Sequence, residues 1–267
     1  MTSMWGAPLR SRWRGSRRRD SDQARFLTVA SLKWVIANKA YTPWYLVRYY
    51  RLAKFKLANP HIITRGMVFL GKNVEIHSTP GLSRMEIGKW VHIGDGNALR
   101  CHEGSLRIGD KVVFGKDNVV NTYIDIEIGA STLVADWCYI CDFDHRMDDV
   151  NVPIKDQGIV KGPVRIGPDT WIAAKVTVLR NTRVGRGCVL GAHAVVKGEI
   201  PDFSIAVGSP AKAVKNRRAD WEAGAADRAK YIAALEDIAR KKIAANGANG
   251  ANGTDAAPAV NGKGAQA

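Results

Sequence analysis

From Val164 to Lys197 an aliphatic side chain returns at every sixth position: Ile166, Ile172, Val178, Val184, Leu190 and Val196. Two residues before each stands a small or β-branched one: Val164, Thr170, Val176, Thr182, Cys188 and Ala194. This period matches neither a helix nor the simple alternation of a strand. It is the pattern of a parallel β-helix, in which each hexad is one short strand plus one corner. The same beat runs upstream through Leu70, Ile76, Ile87, Ile93, Leu99, Ile108, Phe114 and Val120. It then shifts phase by two residues, from Ile126 to Ile128, and continues through Val134 and Ile140. Three hexads close one triangular turn, so residues 67–208 predict roughly six or seven coils. Glycines 88, 94, 109, 115, 129, 167, 185 and 191 follow an inward aliphatic directly. They are expected there for tight corner geometry without a Cβ clash. No helix-length segment separates the hexads, which argues against parallel strands of an α/β sheet.

The fold class predicted is therefore mainly β: a parallel β-helix, with helical decoration at both ends. Residues 1–22 read as a flexible basic arm and 23–66 as N-terminal helices. The helical pattern spans Ala24 to Ala58 and breaks at Pro43, with Thr42 as a cap. Residues 67–215 form the solenoid, interrupted by a loop at 146–163. A C-terminal helix follows at 216–245, and the Asn-Gly-Ala repeats of 246–267 read as disordered. Trp44, Val47, Tyr50, Leu52 and Phe55 form an apolar stripe against Arg48, Arg51 and Lys54. Two readings of it compete: a cap over the first coil, which we favour, and an interfacial helix that touches anionic lipid.

Charge changes the picture only locally. The 267 residues carry a formal net charge of +15, but the basic residues cluster at Arg10–Arg19, Arg48–Lys56 and Lys212–Arg218. None of these clusters carries a nucleic-acid motif, so no nucleic-acid partner is expected. Cysteines 101, 138, 141 and 188 read as buried, reduced thiols, which suits a cytoplasmic protein. The single Cys138-x-x-Cys141 pair has no second half, so no metal is expected. The apolar run Phe26–Ile36 is too short to span a bilayer and contains Lys33. The expected localisation is cytoplasmic, with membrane association as the alternative.

The chemistry is expected where the repeat breaks. Ile140-Cys-Asp-Phe-Asp-His145 completes a hexad, and the next 18 residues, Arg146 to Pro163, abandon the period. A loop extruded from a rigid scaffold is a common functional position. A neutral imidazole there can accept a proton from a hydroxyl near neutral pH, and Asp142 and Asp144 flank it.

These hexads resemble the left-handed β-helix O-acyltransferases. The resemblance includes Asp144-His145 before a loop, Trp171-Ile172-Ala-Ala174, Gly191-Ala192 and Val207-Gly-Ser-Pro-Ala-Lys212. It covers about residues 67 to 215. The nearest branches are the maltose, galactoside and nodulation acetyltransferases and the streptogramin acetyltransferases, whose His-Arg-Met-Asp stretch is similar to His145-Arg146-Met147-Asp148. The resemblance implies a left-handed coil, a homotrimer, and acetyl-CoA as co-substrate in a groove between neighbouring coils, with the active site shared by two subunits. It implies that His145 is the general base for direct attack by an acceptor hydroxyl, with Ala174 and Ala192 lining the pantetheine arm. Lys212 and Lys215 would meet the coenzyme's phosphates, with Lys197 standing where the family often has threonine. Lys175, close to that groove, has no assigned role.

On the acceptor side the chain departs from the sugar acetyltransferases: Gly115 occupies the position of their sugar-holding asparagine. Asn118 and Asn121 are expected to take over, with Asp117 and Asp125 as further hydrogen-bond partners and Asp142 and Asp144 also counted as substrate-binding, and a carbohydrate hydroxyl is the expected acceptor. The alternatives are a succinyl or longer acyl donor, an amine acceptor, a β-helical carbonic anhydrase built on His92, His102, His145 and His193, or a silent scaffold. A mechanistic rival is an acyl-enzyme on Cys141.

Overall fold

The computed structural model describes residues 28–225 together with 227, 229, 230, 232, 233, 236 and 237. The expected basic arm at 1–22, the expected tail at 246–267 and 13 of the 30 residues of the expected C-terminal helix lie outside the described residues. The chain divides into two compact units, the first ending at Arg217 and the second starting at Arg218. A helix covers Arg217–Ala223, and none of its residues is buried.

Three parallel sheets enclose one core. The first holds Ile63–Thr64, Ser83–Ile87, Gly104–Ile108, Asp125–Ile128, Val164–Ile166, Arg183–Val184 and Glu199–Ile200. The second holds Val68–Leu70, Val91–Ile93, Val113–Phe114, Leu133–Val134, Trp171–Ile172, Val189–Leu190 and Ser204–Val207, and Lys212–Asn216 closes its edge in antiparallel sense. The third holds Glu75–Ser78, Ala98–Cys101, Val119–Thr122, Tyr139–Cys141, Thr177–Val178 and Val195–Val196. The chain visits the sheets in rotation, which gives six complete coils and the start of a seventh. Register stacks like on like: Ile128 lies beside Ile108 and Ile166, Val134 beside Phe114 and Ile172, and Ile140 beside Val120 and Val178. All of these are buried, each contributing roughly 1.5–3 kcal/mol of apolar burial.

One expectation needs correction. Ile126 and Ile128 share one strand, and both are fully buried. Ile126 aligns with Leu106 and Val164, the inward residue two positions early. The phase shift is therefore a longer corner. Between the third and first sheets the spacing of inward aliphatics varies, as from Ile76 to Ile87, Leu99 to Ile108 and Val120 to Ile128. At the other two corners it stays at six. The stack thus tolerates insertions at one corner only, and the 146–163 loop leaves from it.

The glycines are required at the corners by the Cβ clash expected there, and the clashing atoms belong to the next coil. Gly94 and Gly129 are not in the left-handed region. A Cβ on Gly94 would come 2.1 Å from the Gly115 carbonyl oxygen, and one on Gly129 2.4 Å from the Pro168 nitrogen. It is the distance to the next coil, rather than backbone conformation, that excludes a side chain. The left-handed residues lie three positions after the aliphatic and most are not glycines: Lys111, Asp117, Ser131, Trp137, Lys175 and His193 have φ of 55–60°, while Gly96 and Gly187 fill the same position with φ of 72° and 65°. Side-chain carboxylates of Asp95, Asp110 and Asp136 accept the N–H groups of Lys72, Lys89 and Lys116 from the preceding coil at 2.6–2.9 Å. The exposed corners thereby keep their backbone donors satisfied.

Helices α1 (Val29–Ala37) and α2 (Pro43–Ala58) precede the solenoid. Thr28 caps α1 by accepting the Ser31 N–H at 3.1 Å. Thr42 stands at the N-cap of α2 without a side-chain capping bond, and Pro43 starts the helix, a position where its missing N–H costs nothing. Helix α2 lies against Val68–Leu70: Leu52 is buried in the core cluster, Trp44 and Tyr45 meet Phe69, and Arg51 donates to the Leu70 carbonyl.

Candidate active site

The loop begins as a hairpin. Phe143–His145 pairs antiparallel with Ile159–Lys161, and Arg146 N–H donates to the Gly158 carbonyl at 3.0 Å. His145 ends the outgoing strand and is exposed. Its imidazole is edge-on to Phe143, with ring centroids 6.3 Å apart.

The root of the hairpin is held by Asp142. Its carboxylate accepts three backbone N–H groups, from Tyr123 at 2.7 Å and from Ile124 and Asp125 at 2.8 Å each. Its own carbonyl accepts the Gly162 N–H at 2.8 Å. The residue is fully buried, which corrects the expectation that Asp142 binds an acceptor: its oxygens are committed to the corner that carries His145. Asn118 needs the same correction. It is 1% exposed and lies inside the coil, where its Oδ1 accepts the Cys138 N–H at 2.7 Å and its N–H donates to Asn97 Oδ1. An inward position on the third-sheet corner cannot reach a ligand outside.

Asn121 and Asp144 remain at the surface. Asn121 donates to the Tyr139 hydroxyl at 3.4 Å, and its Oδ1 is buried without a partner. Asp144 receives the Arg180 guanidinium at 2.6 Å. Beside them runs a feature that the sequence reading missed. His102 stacks on Tyr123 (centroids 4.7 Å apart), Tyr123 meets Phe143 edge-on at 4.5 Å, and Phe143 leads to His145. Burial, then the nearby His77 and Arg100, hold the His102 imidazole below its ordinary pKa, which favours the neutral ring. Lys161, which pairs with Glu103, has its amine 5.5 Å above the Tyr123 ring. The signal was present in the sequence, since His102, Tyr123 and Phe143 each stand three residues after an inward aliphatic of the third sheet.

Ala174 and Ala192 occupy the same corner of successive coils, between the second and third sheets, and the His193 N–H donates to the Ala174 carbonyl at 3.0 Å. Lys175 extends over Trp137, 5.6 Å from the ring centroid. Lys197 is exposed at the far end of the third sheet, and Lys212 and Lys215 are exposed on the closing strand. Within one chain, His145 and the Ala174–Ala192 column therefore lie at different corners. Cys141 is 3% exposed, and burial pushes its thiol up from the ordinary range, the opposite of what an acyl-accepting thiolate needs. Among the described residues, no cluster of three His, Cys, Asp or Glu side chains could hold a metal ion.

Residues 163–198 match the family model described as bacterial transferase hexapeptide (six repeats). The chain is 75% identical over 244 residues to the probable acetyltransferase Rv3034c of Mycobacterium tuberculosis H37Rv, covering 91% of this chain and 81% of the relative. It is 37% identical over 121 residues to WbbJ of Escherichia coli K12, named for an O-acetyl transferase of lipopolysaccharide biosynthesis, covering 40% of this chain and 62% of the relative. A solved mutant of AntD, an N-acyltransferase from Bacillus cereus in complex with dTDP and coenzyme A, aligns at 18% identity with a TM-score of 0.47, over 71% of this chain and 97% of that one. With a three-sheet coil, an insertion confined to one corner and a relative matched over four-fifths of its length, the chain belongs to the hexapeptide-repeat transferases and is an acetyltransferase of that family.

Proposed function

We propose that this acetyltransferase moves an acetyl group from acetyl-CoA to a carbohydrate hydroxyl, with His145 as general base. The observation that carries this reading is the aromatic row His102–Tyr123–Phe143, which ends at His145. Sugar rings present apolar C–H faces that pack on aromatic rings, and their hydroxyls seek amide and carboxylate partners, here Asn121 and Asp144. An acceptor lying along the row would bring a hydroxyl to the imidazole, which is free to take its proton.

The corner column supports the donor side. Ala174 and Ala192 put only methyl groups along this corner, and Lys197, Lys212 and Lys215 offer positive charge towards the end of the stack for the coenzyme's phosphates. When bound there, acetyl-CoA supplies the thioester carbonyl that the acceptor attacks. The separation of His145 from this column within one chain supports a homotrimer in which neighbouring subunits complete each site. Buried, reduced thiols and a soluble donor fit a cytoplasmic enzyme.

The test is thiol release from acetyl-CoA with separate pools of neutral glycans, amino sugars and glycan-free amines. Release that depends on the neutral glycans, and whose KM rises in Tyr123→Ala with kcat retained, supports the reading. Release with amines alone replaces the acceptor class, and succinyl-CoA outcompeting acetyl-CoA replaces the donor.

A further inference from the structure

The net charge is concentrated at one end of the chain. Residues 1–74 hold 15 of the 40 lysines and arginines but 2 of the 25 acidic residues, so this segment accounts for nearly all of the +15. From Gln23 to Val74 there is no acidic residue at all. The two helices in this segment expose large apolar side chains. On α1 these are Val29, Leu32 and Ile36, spaced i, i+3, i+7 and each more than 60% exposed. On α2 they are Leu46, Tyr50 and Leu57, which share the face opposite the Trp44 and Leu52 contacts with the solenoid, and Val47 at its edge. Lys33 and Lys54 are exposed among them. An apolar helix face flanked by lysines, in a segment without carboxylates, has the chemistry of a surface that enters the headgroup region of an anionic bilayer. Nucleic acid would match the charge but leave Leu32, Ile36, Leu46 and Leu57 in water. No described helix is long and apolar enough to cross a membrane, so the contact is peripheral.

We propose that the exposed faces of α1 and α2 dock the enzyme on anionic phospholipid. The proposal is independent of which acceptor the enzyme acetylates. It places the reaction at a membrane surface, where a lipid-linked or growing glycan would be met.

The experiment is co-sedimentation of the full-length protein with vesicles of phosphatidylcholine alone and with vesicles of an equal mixture of phosphatidylcholine and phosphatidylglycerol. Two variants accompany the wild type: Lys33→Glu/Lys54→Glu, and Leu32→Glu/Ile36→Glu/Tyr50→Glu. The proposal expects binding to the mixed vesicles only, weakened roughly tenfold or more by the charge reversal and abolished by the apolar-to-acidic variant. Thermal melting and thiol release with a soluble acceptor should be unchanged in both variants, which separates lost docking from lost folding or catalysis. Equal binding to both vesicle types, or mixed-vesicle binding that neither variant weakens, overturns it. So does retention on duplex DNA without retention on vesicles, or sedimentation velocity that shows these faces joining copies of the chain.

Discussion

Replacing Asp142 separates a structural role from a binding role at the site. Its carboxylate accepts three backbone N–H groups at 2.7–2.8 Å while fully buried. Hydrogen bonds to a charged group contribute about 1.5–3 kcal/mol each. Ile124 is 41% exposed, so water can reach part of the vacated corner, and the lower end of that range applies. Asp142→Ala is therefore expected to cost about 3–5 kcal/mol, which lowers the melting midpoint by roughly 10 °C for a domain of this size. Asp142→Asn keeps one oxygen, enough for the Ile124 and Asp125 donors that share Oδ2, and turns an amide donor towards the Tyr123 N–H. It should fall between wild type and alanine. The assay is thermal unfolding by circular dichroism, with hydrogen exchange followed at the Tyr123, Ile124 and Asp125 amides. An unchanged midpoint and unchanged protection, together with a raised acceptor KM, would refute the structural assignment and restore Asp142 as a ligand.

Gly94→Ala should destabilise the chain although alanine is small and the site lies at a corner, because its Cβ meets the Gly115 carbonyl oxygen at 2.1 Å. A chemical-denaturation midpoint equal to wild type would disprove the close-approach reading. His92 stacks on Phe69, and burial first, then Arg48, holds its imidazole below the ordinary value. Its neutral form is favoured in the folded state, so its contribution is complete above about pH 6.5 and is lost as pH falls through that value towards the folded pKa. His92→Phe should flatten the acid side of the melting-temperature profile, and an unchanged slope would show that other groups set it. Cys141→Ser should keep turnover close to wild type, since a buried thiol of raised pKa is a poor acyl carrier. A covalent acetyl adduct seen by intact-mass spectrometry on wild type alone would reverse that conclusion.

The fold was legible because a β-helix writes its core as a strict period. Ile166 through Val196 announce their coils one hexad at a time, and the register confirms that each meets its like. What the period could not convey was distance between coils. The glycines were expected at corners where a Cβ would clash, and only the structure shows that at Gly94 and Gly129 the clashing atoms are the backbone of the next coil. The same limit explains the site. His145 was marked by the break in the repeat, which is local in sequence. Asn118 and Asp142 looked like acceptor ligands because they are polar and close to it, and only the coil's geometry turns both inward. The aromatic row went unseen because its members are about twenty residues apart and fall into line only when each is counted from its own inward aliphatic, Leu99, Val120 or Ile140.

The role of His145 is tested by comparing wild type, His145→Ala and His145→Gln in two measurements: acetyl-CoA affinity by calorimetry, and acceptor-dependent thiol release. Donor affinity is expected to stay close to wild type in all three, with turnover reduced about 10²–10⁴-fold in both variants. Wild-type turnover in His145→Ala would contradict that role, and the base would then have to be sought elsewhere along the coil.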